Sequence, residues 1–140
     1  MSWTIIWVGV VTSIVAYFVD FILWTYVFKE GFGELTSLPY RDKEKMKAHM
    51  GPMLAKSFLN TLVFGIAFVL IYARLKNSLW ASGVLGGMEF GTVLWLPTIA
   101  VASVGNGIWF DKTRPLAKAN SLSWVIKLNV AGIIAALLIK

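Results

Sequence analysis

The chain has no cysteine, a single histidine and few charges: only 14% of its 140 residues are Asp, Glu, Lys or Arg. Without cysteine there are no disulfides, no iron–sulfur clusters and no thiolate metal sites. The one histidine, His49, cannot provide a bis-histidine haem pair within one chain. No glycine-rich phosphate loop, metal-ligand cluster or nucleophile beside a base is spaced along the sequence, so neither a cofactor nor a metal is expected. Thirteen Lys and Arg against seven Asp and Glu give a net charge of +6. The bases are divided among separate loops and form no continuous stripe, which argues against nucleic acid as a partner.

Apolar residues make up 58% of the chain. They fall into four long blocks, and nearly all charges lie between those blocks, the pattern of a membrane bundle rather than a soluble core. The reading is all-α: one transmembrane domain, 1–140, with spans at about 3–28, 54–73, 80–109 and 120–139, each at least the roughly 20 residues that a bilayer requires and the third longer than one straight span needs. The first block, Trp3 to Phe28, is too long for a signal peptide and has no basic segment before it. Within the first polar loop, Arg41 to Met50 is rich in helix formers and is closed by Gly51 and Pro52. This predicts a short interfacial helix, with Met46 and Met50 toward lipid and Lys43, Lys45 and Lys47 toward headgroups, weighed against a solvated charged linker. Pro97 predicts a kink or a break in the third span. Asn106 and Gly107 are expected to fix that span's end, and Asn120 or Ser121 to cap the last helix.

Orientation follows from the basic residues. Lys29, Arg41, Lys43, Lys45, Lys47, Lys56, Lys112, Arg114 and Lys118 lie in the first and third loops, and only Arg74, Lys76 and Lys140 lie on the other side. The positive-inside rule then puts loops 29–53 and 110–119 in the cytoplasm and both termini outside, in a prokaryotic cytoplasmic membrane. Trp3, Trp24, Trp80 and Trp109 fall near span ends, where indole rings favour the headgroup boundary. Trp7, Trp95 and Trp124 lie deeper and are read as packing residues.

Three ionisable residues interrupt the apolar spans: Asp20, Glu89 and Lys127. At roughly 2.5–3.5 kcal/mol each on insertion scales, they need partners. Counted from the span centres, Asp20 lies roughly 6 Å, Asn60 roughly 8 Å and Lys127 roughly 3 Å to the cytoplasmic side of the midplane. An Asp20–Lys127 ion pair with Asn60 adding a hydrogen bond is therefore expected. Glu89 falls roughly 9 Å to the other side. It is the candidate proton- or cation-binding group, weighed against a purely structural carboxyl. Around it, Gly83, Gly87 and Gly91 are candidates for close helix packing, against a neighbouring span or a second copy. VDFILW at Val19–Trp24 and MEFGTVLW at Met88–Trp95 echo one another weakly, as two duplicated hairpins would.

YFVDFILWTYVF at Tyr17–Phe28, GVLGGMEFGTVLWLP at Gly83–Pro97 and NGIWFDKTRPLAK at Asn106–Lys118 resemble an uncharacterised family of four-span bacterial and archaeal membrane proteins, domain of unknown function 1761. The resemblance implies four helices and carries over no activity or catalytic residue. Asp20 and Thr25 depart from the glycine and Trp-Tyr that the family often has there, so it assigns no role to Asp20.

The function expected is non-enzymatic: an accessory or structural subunit, or a homo-oligomer, whose partners are membrane lipids and itself or other membrane subunits. The alternative is a small dimeric proton- or ion-coupled transporter or channel using Glu89 and the Asp20–Lys127 pair. An intramembrane enzyme ranks last, because Asp20 and Glu89 lie at different depths with no histidine near either.

Overall fold

A computed structural model describes residues 3–28, 43–109 and 114–139, and all of the elements in it are helices. Helix α1 (Trp3–Ile22) runs into a π turn at Leu23–Val27. Helix α2 (Lys43–Leu75) ends in a 3-10 turn at Lys76–Ser78. Helix α3 (Gly83–Trp95) passes through a second π turn, Leu96–Ala100, into α4 (Val101–Trp109). Helix α5 (Arg114–Leu138) completes the fold. Among the described residues four stretches are long and apolar enough to cross a membrane: Trp3–Val27, Met50–Ser78, Gly83–Asn106 and Pro115–Leu138. The four-helix bundle expected from the apolar blocks is the fold observed, and it marks an integral membrane protein.

Several local features differ from the sequence reading. Gly51 and Pro52 do not stop a helix, because α2 is continuous through both. Proline removes one backbone bond and frees the carbonyl four residues back, here that of Ala48. Residues 47, 48 and 50–60 are exposed, so that carbonyl is not trapped in a dry core. What looked like a separate interfacial helix is thus the first turns of α2. The side chains of Lys43, Lys45, Met46 and His49 lie outside the described set, so their contacts with lipid do too. The membrane-spanning stretch of the third span ends at Asn106, while the helix itself continues to Trp109. Asn120 and Ser121 do not cap α5, which begins at Arg114 with Pro115 in its first turn, a position where a missing N–H costs nothing.

Pro97 produces a π turn rather than a break. Val101 N–H reaches back five residues to the Leu96 carbonyl, and the Thr98 hydroxyl bonds the Leu94 carbonyl at 2.5 Å. The first π turn closes in the same manner, with Phe28 N–H on the Leu23 carbonyl at 2.8 Å. The first turn opens on Leu23–Trp24 and the second directly follows Leu94–Trp95, the Leu-Trp pairs of the sequence echo.

The bundle is two tight hairpins joined through α5. In the first, α1 packs along α2. A Cβ on Gly9 would come within 2.7 Å of the Ile66 backbone, and one on Gly65 would collide with the Ser13 hydroxyl. Ser13 itself donates to the Gly9 carbonyl at 2.7 Å. In the second, α3 packs along α5 with Gly87 against Gly132, while a Cβ on Gly91 would lie 2.5 Å from the Leu128 carbonyl. Without a hydrophobic force between helices in lipid, such close backbone approach is what gains dispersion contact. Gly83 does not take part. It starts α3 at φ +60° with open space around it, so its role is conformational.

Side chains close the seam between the hairpins. Phe90 of α3 sits edge-on to Phe68 and Tyr72 of α2, at 5.1 and 5.4 Å between centroids, and Phe64 meets Trp124 of α5 at 5.4 Å. Val8, Val69, Leu128, Ala131 and Ala135 complete a thin core. Only 22–33% of the most apolar stretch of each span is buried, so most of the apolar surface faces outward.

Candidate functional site: a charged cavity between three spans

Asp20 lies in the last turns of α1 and Lys127 midway along α5, 107 residues apart in sequence, and the bundle brings them into contact. Lys127 Nζ donates to Asp20 Oδ2 at 2.5 Å. Ser123, one turn before Lys127, donates its hydroxyl to Asp20 Oδ1 at 2.8 Å. The ammonium also lies 3.6 Å from the centre of the Trp124 ring, a cation–π contact whose strength grows as water is removed. Lys127 is only 5% exposed, while the Asp20 side chain keeps 24%. A carboxylate with both oxygens engaged, opposite an ammonium covered by an indole face, is a neutral unit compatible with membrane depth.

Sequence spacing on α5 explains the arrangement. Ser123 and Lys127 are four apart and share one face with Leu128, Ala131 and Ala135, the stripe that meets the other spans. Ser123 was not among the residues singled out from sequence. A small hydroxyl residue four positions before a span lysine was the available signal.

A cavity of about 180 Å³ adjoins the pair, lined mostly by polar groups. Asp20 and Trp24 line it from the first span, Ser57, Asn60, Thr61 and Phe64 from α2, and Asn120, Trp124 and Lys127 from α5. Asn60 therefore reaches the same cavity as the pair, but among the described residues it bonds neither Asp20 nor Lys127; the added hydrogen bond expected from it comes from Ser123 instead. Thr61 turns its hydroxyl back onto the Ser57 carbonyl at 2.9 Å. The side-chain amides of Asn60 and Asn120 make no hydrogen bond within the described residues. The chain has thus built a small polar vestibule with unused donors and acceptors, floored by a neutralised ion pair.

Glu89 belongs to a different place. Its two carboxylate oxygens accept the backbone N–H groups of Trp80 at 3.1 Å and Ala81 at 2.8 Å, in the turn before α3. The turn folds so closely over α3 that a Cβ on Gly86 would lie 2.5 Å from the Ala81 carbonyl. Glu89 therefore anchors the α2–α3 connection, and the structure does not bring it near Asp20 or Lys127. Trp80 beside it is 99% exposed and Trp3 77%, as boundary indoles would be. Deeper in the bundle, Trp95 donates its Nε1 to the Ser121 carbonyl at 2.9 Å. Thr92 donates to Asn129 at 3.3 Å. Among the described residues no group of three His, Asp or Glu could hold a metal ion.

Fold and site together define a four-span helical membrane protein with an internally neutralised charge pair beside a polar cavity. The chain matches no protein-family model, no curated protein and no solved structure.

Proposed function

We propose that this is a non-enzymatic membrane protein that acts by association in the plane of the bilayer, as a homo-oligomer or as an accessory subunit of a larger membrane complex. The observation that carries this reading is the commitment of the three intramembrane charges. Asp20 and Lys127 neutralise each other with help from Ser123, and Glu89 holds two amides of its own loop. Acid–base catalysis needs groups free to trade protons with a substrate, and these are engaged in holding helices and a turn in place. The outward faces supply the contact surface: Leu59, Val63, Leu85 and Val93 on the second and third spans are more than half exposed.

Native mass spectrometry of the gently solubilised protein tests the proposal, with every co-purifying chain and lipid identified in the same spectrum. A homo-oligomer or a stoichiometric foreign subunit is expected. A strictly monomeric chain with no partner would overturn it.

The vestibule favours a second reading, a proton- or ion-coupled transporter or channel working as a dimer. Unused amides beside a breakable ion pair are the kind of lining that a permeating ion meets. In proteoliposomes this reading requires flux above that of empty vesicles, diminished by Asp20→Asn. The likeness to the four-span family is compatible with either reading.

Orientation belongs to the same proposal, with both termini outside and loops 29–53 and 110–119 in the cytoplasm of a prokaryote. The cysteine-free chain makes a clean test. In intact cells, a membrane-impermeant maleimide should label Asn77→Cys, and should label Lys118→Cys only after lysis. The reverse pattern would invert the topology.

A further inference from the structure

Beyond the π turn at Leu96–Ala100 the third span loosens from α5. Trp95, just before the turn, is fastened to the Ser121 carbonyl, whereas α4 beyond it meets α5 less extensively than α3 does. The divergence leaves a groove of about 410 Å³ between α4 and α5. Its walls are apolar, made by Trp95, Val104, Ile108 and Leu122 with the small Ser103 among them, and Lys118 of α5 also lines it. Among the described residues Lys118 meets no carboxylate.

The dimensions match one leaflet. Trp95 and Ile108, thirteen residues apart, are about 20 Å apart along the helix axis. The hydrocarbon of one leaflet is about 15 Å thick. Lys118 lies three residues inside the start of the fourth span, at the level of headgroups, while Trp95 lies near the middle of the third. We infer that this groove is a binding site for one anionic phospholipid, its acyl chain lying between α4 and α5 and its phosphate on Lys118. Charge selects the occupant. The apolar walls suit an acyl chain, and a phosphodiester at the same site adds a charge that matches the Lys118 ammonium, which a second copy's apolar helix does not.

The full-length protein, stripped of lipid in mild detergent, would be titrated with phosphatidylglycerol and phosphatidylcholine of identical acyl chains and read by native mass spectrometry. One phosphatidylglycerol should be retained about fivefold more tightly than phosphatidylcholine, the worth of one well-placed lysine. Lys118→Gln should erase that preference, Val104→Trp should weaken both lipids by filling the groove, and Lys76→Gln at the opposite end should change neither. If Val104→Trp fails to fold, judged by helical circular dichroism, Ile108→Trp takes its place. Equal binding of the two lipids by the unaltered protein would overturn the inference. So would a preference that survives Lys118→Gln, or lipid binding indifferent to the groove-filling residue. A dimer that excludes lipid and is split by Val104→Trp would put a second copy in the groove instead.

Discussion

The two hairpins solve one packing problem with different chemistry. α3 and α5 approach through bare glycine, Gly87 on Gly132, while α1 and α2 approach through Gly9, Gly65 and the hydroxyl of Ser13. Each also carries one acid on its first helix. Asp20 of the first hairpin reaches across to Lys127 and Ser123 of the second. Glu89 of the second turns back onto its own connecting loop. The same side-chain chemistry thus joins the halves in one case and shapes a turn in the other. The difference comes from what lies at the same depth, a lysine on a neighbouring helix or two unpaired backbone amides.

This contrast can be broken most severely at the inter-hairpin pair. Asp20→Asn or Lys127→Met alone strands one charge inside the bundle and should cost about 3–5 kcal/mol in detergent unfolding. A loss below about 1 kcal/mol would mean that water already reaches the pair. Next in size, Gly132→Ala pushes a methyl into the Gly87 backbone, and overpacking of this kind should cost about 1–3 kcal/mol. Gly51→Ala, where nothing lies within reach of a new Cβ, serves as its control and should be near neutral or slightly stabilising.

Glu89→Gln should do less, about 1 kcal/mol, because an amide oxygen can still accept one of the two loop N–H groups. Its signature is local: hydrogen exchange at Trp80 and Ala81 should quicken while the rest of the bundle keeps its protection. If exchange quickened equally throughout, Glu89 would be joining the hairpins after all. The smallest change has the opposite sign. Thr12 is fully buried, and its hydroxyl finds no hydrogen-bond partner among the described residues. Thr12→Val, nearly isosteric, should therefore raise stability by up to about 1 kcal/mol.

Much of the fold can be read along the chain because a bilayer leaves few choices. Apolar blocks of span length separated by charges must be helices that satisfy their own backbones. Helix ends were harder to read, since Gly51, Pro52 and Asn120 are stop or cap residues by local preference. At exposed positions along a long helix those preferences are too weak to end it. Asp20 and Lys127 could be matched by depth alone, but Ser123 could not, because small hydroxyl residues occur throughout membrane helices for many reasons. Gly83 and Gly87 have the four-residue spacing of a packing motif. Of the series 83, 87 and 91 only Gly87 and Gly91 meet the neighbour, because Gly83 stands at the first residue of α3 with open space around it.

The most direct test of the account is a double-mutant cycle on Asp20→Asn and Lys127→Met, read as unfolding free energy in the same detergent. A true buried pair predicts strong coupling: the double variant should be less destabilised than either single one, since removing both charges leaves none unpaired. If the two losses simply add, Asp20 and Lys127 act independently, and the two hairpins are held together by packing alone.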